Sequence, residues 1–431
     1  MRGGGHGRRY QAAAARARGG VGAVLGPERA ASHRLRGEPV TSIGLFTYST
    51  KPRGSVVHAC CLAEALSARG HDVTLYALSK SGDELFRKLR CSVRYLRAEA
   101  APADVDALIA QRIGEVARGV AALSPRHDVY HAEDCLVASG LLSLGTRFGP
   151  IVRTLHHYEQ FESRYLQDCQ RGSILGAAAV ACVSRVSQRD VQRELSRLCP
   201  IIGNGVDFER FSGGVELRDW ARRRFGVVEG QLVVASVGGV EPRKNTLRAL
   251  EAMVPVLRQH PTARWLIAGG SSIWEHDSYR LEFAQRLDAL EPSVRERIVQ
   301  LGAVSERELT ALYQVSQVLL CASLQEGFGL CVLEAMAAGA AVVVSAREPF
   351  TEYLDASSAR FVDPECTASI TAAVDELWND PDRCAELSRN GTRVARRFSW
   401  DTVAREHERL YRGLLERRAS AFELYEETNH A

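Results

Sequence analysis

Short apolar runs alternate with amphipathic stretches along most of this chain. The first run, IGLFTYS, begins after Ser42 and is followed by a glycine-containing loop, an amphipathic stretch at 56–68 and the run DVTLYAL. The runs VRYL, DVYHA, IVRTL and AVACVS come next, separated by helical stretches such as 105–123 and 186–198. Runs that are apolar throughout are typical of parallel strands covered by helices on both faces, so this part is predicted to be a doubly wound α/β domain.

The pattern lapses around CPIIGNGVDFERF, where Gly203, Asn204 and Gly205 form a cluster of turn residues. A second series then begins, with the runs LVVASVGG, ARWLIAGG, IVQLGA, VLLCAS, AVVVSA and ARFVD. We therefore predict two doubly wound domains, at 41–203 and 204–398, that face each other across a cleft. Such folds bind ligands outside the carboxyl ends of their strands, where loops meet helix N-termini.

Composition supports a globular protein and excludes some functions. The 431 residues are 45% hydrophobic and 25% charged, and no apolar run has the length of about eighteen residues that a membrane span needs. The formal net charge is +3, but residues 1–40 alone carry +6, so the rest of the chain gives no electrostatic reason to expect nucleic acid. The eleven cysteines have no metal-like or redox-like spacing, which favours reduced thiols and a cytoplasmic protein.

The segment 1–40 is rich in Arg, Gly and Ala and shows neither a helical nor a strand period. It lacks the apolar residues that a folded core requires, so we predict a disordered extension. A genuine tail, an organelle-targeting segment and an upstream extension of the true start all stay open.

The stretch EGFGLCVLEAMAAG carries the most specific chemical signal. Gly327 and Gly329 allow the backbone to approach a ligand, and a helix is predicted to begin near Leu330 with free N–H groups suited to a phosphate. Glu334 then lies on a helix with few polar positions, where a buried carboxylate needs donors such as vicinal sugar hydroxyls. Glu326 precedes the helix and can face the part of the ligand that lies beyond the phosphates. Either glutamate alone would be unremarkable on a solvated surface.

A lysine follows the first strand of the second series, in SVGGVEPRKN. The chain has only four lysines against 51 arginines, so Lys244 at a strand end is noteworthy. A compact ammonium charge is suited to a leaving diphosphate. An exposed loop lysine is the plain alternative.

The string S-x-x-E-G-F-G-L-x-x-L-E-A-M-A-x-G, from Ser323 to Gly339, resembles the signature of the family-4 retaining glycosyltransferases, the group 1 type. The resemblance spans roughly residues 42–415 and implies the GT-B fold, in which two Rossmann-like domains face a cleft and a C-terminal helix crosses back to the first domain. It implies that Glu326 contacts the donor sugar and that Glu334 contacts the ribose. The backbone amides of Phe328, Gly329 and Leu330 would bind the diphosphate.

The chain departs from the family pattern at several places. The family usually has an arginine where this chain has Gly239, and we interpret the neighbouring Arg243 as a replacement phosphate contact. The family's first loop carries a glycine pair near the donor phosphates, and here only Gly54 matches because Ser55 follows. GNGVDFERF is similar to the family's interdomain link, with Gly203 in place of proline. We expect Asn204 and Gly205 to take the left-handed turn of that link.

TLHHYEQF places His156 at a strand end, where the family carries a histidine near the reacting sugar. A neutral imidazole there can accept or orient a hydroxyl proton, and His157 is a competing candidate. The motif Asp104-Val105-Asp106 looks like a metal-binding pair, but acidic residues are common at helix starts, so we expect no metal. A terminal helix at 399–418 is predicted to pack back on the first domain, followed by a tail at 419–431.

We expect a metal-independent and cofactor-free transfer of a sugar from a UDP-, GDP- or ADP-sugar to an acceptor hydroxyl, with retention at the anomeric carbon. A nucleotide-sugar epimerase and a non-catalytic nucleotide-sugar-binding protein are the alternatives. VGGVEP is not the G-x-G-x-x-G turn of a dinucleotide dehydrogenase. The donor base, the acceptor, the oligomeric state and peripheral contact with a membrane are not determined by the sequence.

Overall fold

The computed structural model describes residues 39–80, 82–145, 148–270 and 277–429. Most of the predicted arginine-rich extension, residues 1–38, lies outside these ranges. The described residues form two parallel sheets of six strands, each flanked by helices. The two predicted doubly wound halves are therefore confirmed, while the domain limits at 203 and 204 stay a prediction.

The first sheet has the strand order β3-β2-β1-β4-β5-β6, and every pairing in it is parallel. The strands are β1 (Ser42–Thr47), β2 (Asp72–Lys80), β3 (Ser92–Ala98), β4 (Val129–Ala132), β5 (Ile151–Leu155) and β6 (Ala179–Cys182). The helices are α1 (Gly54–Ala68), α2 (Val105–Leu123), α3 (Cys135–Leu142), α4 (Arg164–Gly176) and α5 (Arg185–Leu195). The strand order reverses between β1 and β4, and doubly wound sheets bind ligands beside such a reversal.

The second sheet has the order β12-β11-β10-β7-β8-β9, which is the same winding as the first. The strands are β7 (Val233–Val237), β8 (Arg264–Ala268), β9 (Ile298–Gly302), β10 (Val318–Cys321), β11 (Ala341–Ser345) and β12 (Arg360–Val362). The helices before the terminal one are α6 (Phe208–Ser212), α7 (Val215–Phe225), α8 (Thr246–Gln259), α9 (Asp277–Asp288), α10 (Pro292–Arg295), α11 (Glu306–Val315), α12 (Leu330–Ala337), α13 (Phe350–Tyr353), α14 (Thr367–Asn379) and α15 (Pro381–Ala395). Its reversal lies between β7 and β10.

Continuous apolar runs form the central strands because helices cover both faces of each sheet. All four residues of β10 and all five residues of β11 are buried. The second sheet packs one hydrophobic cluster on each face, built on Leu319 and Leu333 on one side and on Trp265 and Leu250 on the other. Burial on both faces explains why these strands show no alternation of apolar and polar residues.

The link between the halves differs from the prediction in one respect. The left-handed residue is Gly203, with φ of +73°, whereas neither Asn204 nor Gly205 has a positive φ. Gly205 is needed for a different reason, since a Cβ there would lie 2.5 Å from the backbone nitrogen of Trp400. The glycine at 203 therefore turns the chain, and the glycine at 205 lets the link pack against the start of the last helix.

The last helix, α16 (Trp400–Asn429), returns to the first half as predicted. Tyr411 and Leu414 are buried in a cluster with residues of α1 and β1. Glu408 accepts a hydrogen bond from Arg69 Nε at 2.6 Å, and its Oε1 lies 2.8 Å from His71 Nε2. The helix continues to Asn429, so most of the segment 419–431, predicted as a tail, is helical.

Two smaller predictions, on the Asp104-Val105-Asp106 motif and on membrane spans, can be compared with the structure. Asp104 accepts a hydrogen bond from the backbone N–H of Ala107 at 2.7 Å and so caps α2, which explains the Asp104-Val105-Asp106 motif without a metal. Among the helices of the described residues, none combines the length and the apolar character that crossing a bilayer requires.

Candidate functional site

The candidate donor residues gather where the strand order of the second sheet reverses. After β7 the chain turns through Gly238 and Gly239, both with positive φ, into a single 3-10 turn at Pro242–Lys244. The methylene chain of Lys244 lies against Gly238, where a Cβ would collide with Lys244 Cε. The glycine therefore leaves the space through which the lysine reaches the end of β10.

Lys244 and Glu326 form an ion pair in this place. The Lys244 ammonium donates to Glu326 Oε1, which also accepts from Ser323 Oγ at 2.9 Å. Both side chains are largely buried, at 12% and 8% exposed. Burial opposes the charged carboxylate, but the charges of Lys244 and Arg243 outweigh it and hold the pKa of Glu326 below its ordinary value. Burial likewise opposes the ammonium, yet Glu326 raises the pKa of Lys244. Both groups are charged at neutral pH.

The Gly-Phe-Gly turn joins this ion pair to the first half of the protein. A Cβ on Gly327 would collide with the carbonyl oxygen of His156, so the backbone of the turn lies directly against the end of β5. Gly329 has φ of +88° and stands immediately before α12. Phe328 is buried and stacks on Tyr353, whose hydroxyl donates to the Phe328 carbonyl at 3.0 Å. The turn is thus held by its contacts with the end of β5 and with Tyr353 of α13.

Helix α12 begins at Leu330, as predicted, and its first amides have no carbonyl partner within the helix. Glu334, one turn later, accepts a hydrogen bond from the Tyr313 hydroxyl at 2.8 Å through Oε2. Burial raises the pKa of Glu334, and the bond from Tyr313 partly offsets this effect. The sequence had not identified Tyr313, because a tyrosine in an amphipathic helix looks like an ordinary core residue.

The position of the missing family arginine has no room for a side chain. A Cβ on Gly239 would lie 2.9 Å from the carbonyl oxygen of Gly270, and the φ of +77° is strained for any other residue. Arg243 lies on the same loop, with Nε 3.0 Å from Glu241 Oε2 and Nη1 3.8 Å from Glu326 Oε2. The Arg243 guanidinium therefore lies beside the Lys244–Glu326 ion pair, although Arg243 comes four residues after Gly239 in the chain.

The first half contributes a buried cluster at its own strand reversal. His156 Nε2 lies 3.0 Å from Oε2 of Glu133, which directly follows β4. His58 on α1 reaches the same oxygen through Nδ1 at 2.9 Å. Burial lowers the pKa of His156 to about 4 although Glu133 acts in the opposite direction, so this imidazole is neutral at pH 7. The sequence predicted His156 but missed both His58 and Glu133.

The structure also separates the two adjacent histidines. His157 pairs with Glu159 and is 38% exposed, whereas His156 is directed inward at Glu133. Gly54 is the first residue of α1 and is exposed. Apart from α1 itself and the adjoining residues, no atom of the described residues lies within 4 Å of the place a Cβ would occupy, so no such contact explains a glycine at 54.

One group among the described residues has the composition and spacing of a metal site. It comprises His58, Glu133 and His156, whose ligand atoms lie within 4.8 Å of one another. A carboxylate and two imidazoles are a donor set that suits zinc. The expected absence of a metal stays a prediction.

Two protein-family models match the chain. The model described as Glycosyl transferases group 1 matches residues 218–394, and the model described as Glycosyltransferase Family 4 matches residues 52–210. The first match contains Lys244, Glu326 and Glu334, and the second contains Gly54 and His156.

Similar proteins extend the match over most of the chain. An uncharacterized glycosyltransferase of Methanocaldococcus jannaschii is 25% identical over 87% of this chain and 98% of its own length. A D-inositol 3-phosphate glycosyltransferase of Stackebrandtia nassauensis is 25% identical over 91% and 93%. The structure of sucrose-phosphate synthase from Thermosynechococcus elongatus aligns with a TM-score of 0.73 and 21% identity, over 87% of this chain and 99% of that one. Anabaena HepE in complex with UDP and glucose gives 0.73 and 18%, over 86% and 100%. These neighbours confirm the predicted GT-B fold.

The buried histidines predict a loss of stability at mildly acidic pH. Burial lowers the pKa of His131 from 6.5 to about 4, so the folded state cannot take up the proton that the unfolded chain binds. The free energy of unfolding should therefore fall as the pH drops from about 6.5 towards about 4, by up to roughly 3 kcal/mol for this group. Above pH 6.5 its contribution should be constant.

We expect the variant His131→Asn to show a smaller slope of unfolding free energy against pH than the wild type, in urea titrations between pH 6.5 and 4.5. The slopes of the two proteins must be compared because Asp134 also titrates in this range. Burial raises the pKa of Asp134 to about 6, so its contribution to the free energy of unfolding increases as the pH falls, opposite to that of His131. Equal slopes in the two proteins would contradict the prediction.

Proposed function

Because the chain belongs to the group 1 glycosyltransferases of the family-4 type, which transfer sugars from nucleotide sugars, we propose a metal-independent transfer to an acceptor hydroxyl with retention at the anomeric carbon. The observation that carries this proposal is that three features meet around Gly327. They are the Lys244–Glu326 ion pair, the start of α12 and the end of β5. A donor sugar attached to a diphosphate at α12 then has its anomeric carbon beside the first half of the protein.

The donor diphosphate is the group that needs the positive charges of this site. We assign Lys244, Arg243 and the amides of Phe328, Gly329 and Leu330 to its oxygens. Charge that develops on the leaving diphosphate is stabilised by such preorganised donors, and this term usually contributes most to catalysis of this kind. Two cationic side chains and a helix start provide that stabilisation without a metal ion, which supports the metal-independent proposal. Gly54 at the open start of α1 would approach the same phosphates from the other side of the cleft.

The two glutamates have different partners and therefore different proposed roles. Glu326 is held by Lys244 and Ser323, and its carboxylate can accept hydrogen bonds from hydroxyls of the donor sugar. Glu334 lies one turn into α12 with Tyr313 on one oxygen, so the other oxygen is assigned to the ribose hydroxyls.

Retention with a covalent intermediate would require a carboxylate in contact with the anomeric carbon. Glu326 is engaged by Lys244, and the Glu133 side chain is completely buried behind His156. We therefore propose attack by the acceptor hydroxyl on the same face that the diphosphate leaves, with the neutral His156 imidazole accepting or orienting a hydroxyl proton.

The donor base is left to experiment. Among similar structures, Anabaena HepE is in complex with UDP or UDP-glucose, and starch synthase IV of Arabidopsis thaliana is bound to ADP. Several relatives are named as D-inositol 3-phosphate glycosyltransferases, which makes a phosphorylated polyol a reasonable first acceptor to test.

We predict that the full-length protein releases one nucleotide from a panel of UDP-, GDP- and ADP-sugars when an acceptor-containing cell extract or a phosphorylated polyol is added. Release should fall by at least about a hundredfold in Lys244→Ala and Glu326→Ala, because both remove part of the preorganised charge. Glu365→Ala, a largely exposed glutamate paired with Arg347, is the matched control and should retain full activity.

Other outcomes of this assay would contradict transfer. Donor binding by calorimetry without nucleotide release under any condition would indicate a nucleotide-sugar-binding protein. Conversion of the sugar without nucleotide release would indicate an epimerase.

We predict that Arg243→Ala raises the donor KM about tenfold, the effect of losing one charge-assisted hydrogen bond. Adding Gly239→Arg should not restore affinity, since a side chain at 239 meets the Gly270 carbonyl. Arg347→Ala, similarly exposed and also paired with a glutamate, is the control. A KM unchanged in Arg243→Ala would refute the replacement of the family arginine by Arg243.

A further inference from the structure

The carboxylate of Glu133 is surrounded by the imidazoles of His58, His131 and His156. The proposed transfer uses His156 but gives Glu133 no role. Glu133 directly follows β4, and its side chain and that of His58 are completely buried. Oε2 lies 2.9 Å from His58 Nδ1 and 3.0 Å from His156 Nε2. The three residues are far apart in sequence and meet because α1 and the ends of β4 and β5 converge at the strand reversal of the first sheet.

We propose that Glu133 is the positioning residue of His156, fixing the proton on Nε2 so that the lone pair of Nδ1 faces the sugar and acceptor hydroxyls. This proposal rests on the proposed function only for the role of His156 in transfer; the orientation of the ring is a separate claim.

A neutral imidazole has one N–H donor and one acceptor nitrogen, and its neighbours decide which is which. An ionised carboxylate only accepts hydrogen bonds, so the nitrogen that faces Glu133 must carry the proton. One oxygen of Glu133, Oε2, lies 3.0 Å from His156 Nε2 and 2.9 Å from His58 Nδ1, and an oxygen shared by two ring nitrogens acts as an acceptor. The remaining nitrogen of His156, Nδ1, is then the acceptor.

The other groups that face Glu133 have partners of their own and do not compete for His156. His131 on β4 lies 3.9 Å from Glu133 Oε1, and its two nitrogens contact the Tyr411 hydroxyl and Thr154 Oγ1, both at 2.6 Å. His407 on α16 contacts the Val403 carbonyl through Nδ1. Burial lowers the pKa of His131 and of His407, so both stay neutral.

A further buried charge that acts on the cluster is Arg153 on β5. Its charge adds to the effects of burial and His58 in lowering the pKa of His156. Helix α16 covers this cluster with Trp400 and His407. Their ring centroids lie 5.3 Å and 6.1 Å from the ring centroid of His58. Water is thereby kept from the carboxylate on the side away from the cleft.

A divalent metal ion bound by His58, Glu133 and His156 is the rival explanation of the same cluster. His156 Nε2 lies 3.0 Å from Glu133 Oε2 in a hydrogen bond of ordinary length. His58 Nδ1 lies 2.9 Å from the same oxygen but is not hydrogen-bonded to it. The hydrogen bond at His156 favours a proton over a metal between His156 and Glu133.

The test is the tautomer of His156, read from long-range ¹⁵N–¹H spectra of the full chain labelled at histidine, at pH 7. The His156 signals are identified by their absence in His156→Gln. We expect the wild type to carry the proton on Nε2. Glu133→Gln should keep this tautomer because its amide oxygen also accepts, whereas Glu133→Leu should give a mixture. Glu115→Gln, another buried glutamate but one paired with Arg112, should change nothing.

Kinetics supply the second readout. Glu133→Leu should lower kcat by at least about tenfold with a donor KM within about twofold of wild type, and Glu133→Gln should restore much of the loss. A merely structural role would instead lower the amount of active protein in both variants and leave the tautomer of the folded fraction unchanged.

Several results would overturn the proposal. These are a wild-type His156 protonated on Nδ1, the same tautomer in Glu133→Leu as in wild type, or one equivalent of metal in the purified protein that is lost in His58→Ala. The wild-type spectrum alone can refute the proposal if Glu133→Leu fails to fold. An absence of sugar transfer together with the expected tautomer would instead refute the proposed function and leave the positioning role intact.

Discussion

The contact between Gly327 and the His156 carbonyl is the constraint on which the site depends. Because residue 327 has no side chain, the loop that carries Glu326 can lie directly on the end of β5. Glu326 then stands one residue before this contact in the second half, and the backbone of His156 forms it in the first half. Any side chain at 327 would push these groups apart. The reacting atoms of a two-domain transferase must meet in such a place.

Each half buries charge at the reversal of its strand order, and the two halves do so differently. The second half buries Lys244 against Glu326, and the first buries Glu133 against His58 and His156. Removing charges from water costs several kcal/mol per ion, and their mutual attraction often fails to recover it, so buried pairs are weak evidence of stability. Charges kept at these positions are better explained by ligands whose own charge and hydroxyls they meet. In the proposed function, the cationic side binds a diphosphate and the imidazole side accepts or orients a hydroxyl proton.

The sequence predicted the fold, and it singled out most of the candidate donor residues that the structure brings together, because those signals are local. The EGFG turn, the start of α12 at Leu330 and the lysine after β7 each follow from a few neighbouring residues. Glu133 and His58 were missed because their pairing is visible only once strands have been ordered into a sheet. A polar residue directly after a strand beside the reversal was the signal for Glu133. The left-handed link residue was predicted wrongly because Gly205 has a packing role, against Trp400, that no local rule encodes.

The central claim is that the donor diphosphate binds at the reversal between β7 and β10. A crystal structure of the protein with the nucleotide sugar selected by the release assay tests it most directly. The account predicts diphosphate oxygens within hydrogen-bond distance of Lys244 Nζ and the Leu330 amide, with the ribose at Glu334. It also predicts that the anomeric carbon faces His156 across Gly327. A nucleotide bound at the first sheet, or a diphosphate contacting neither Lys244 nor α12, would contradict it.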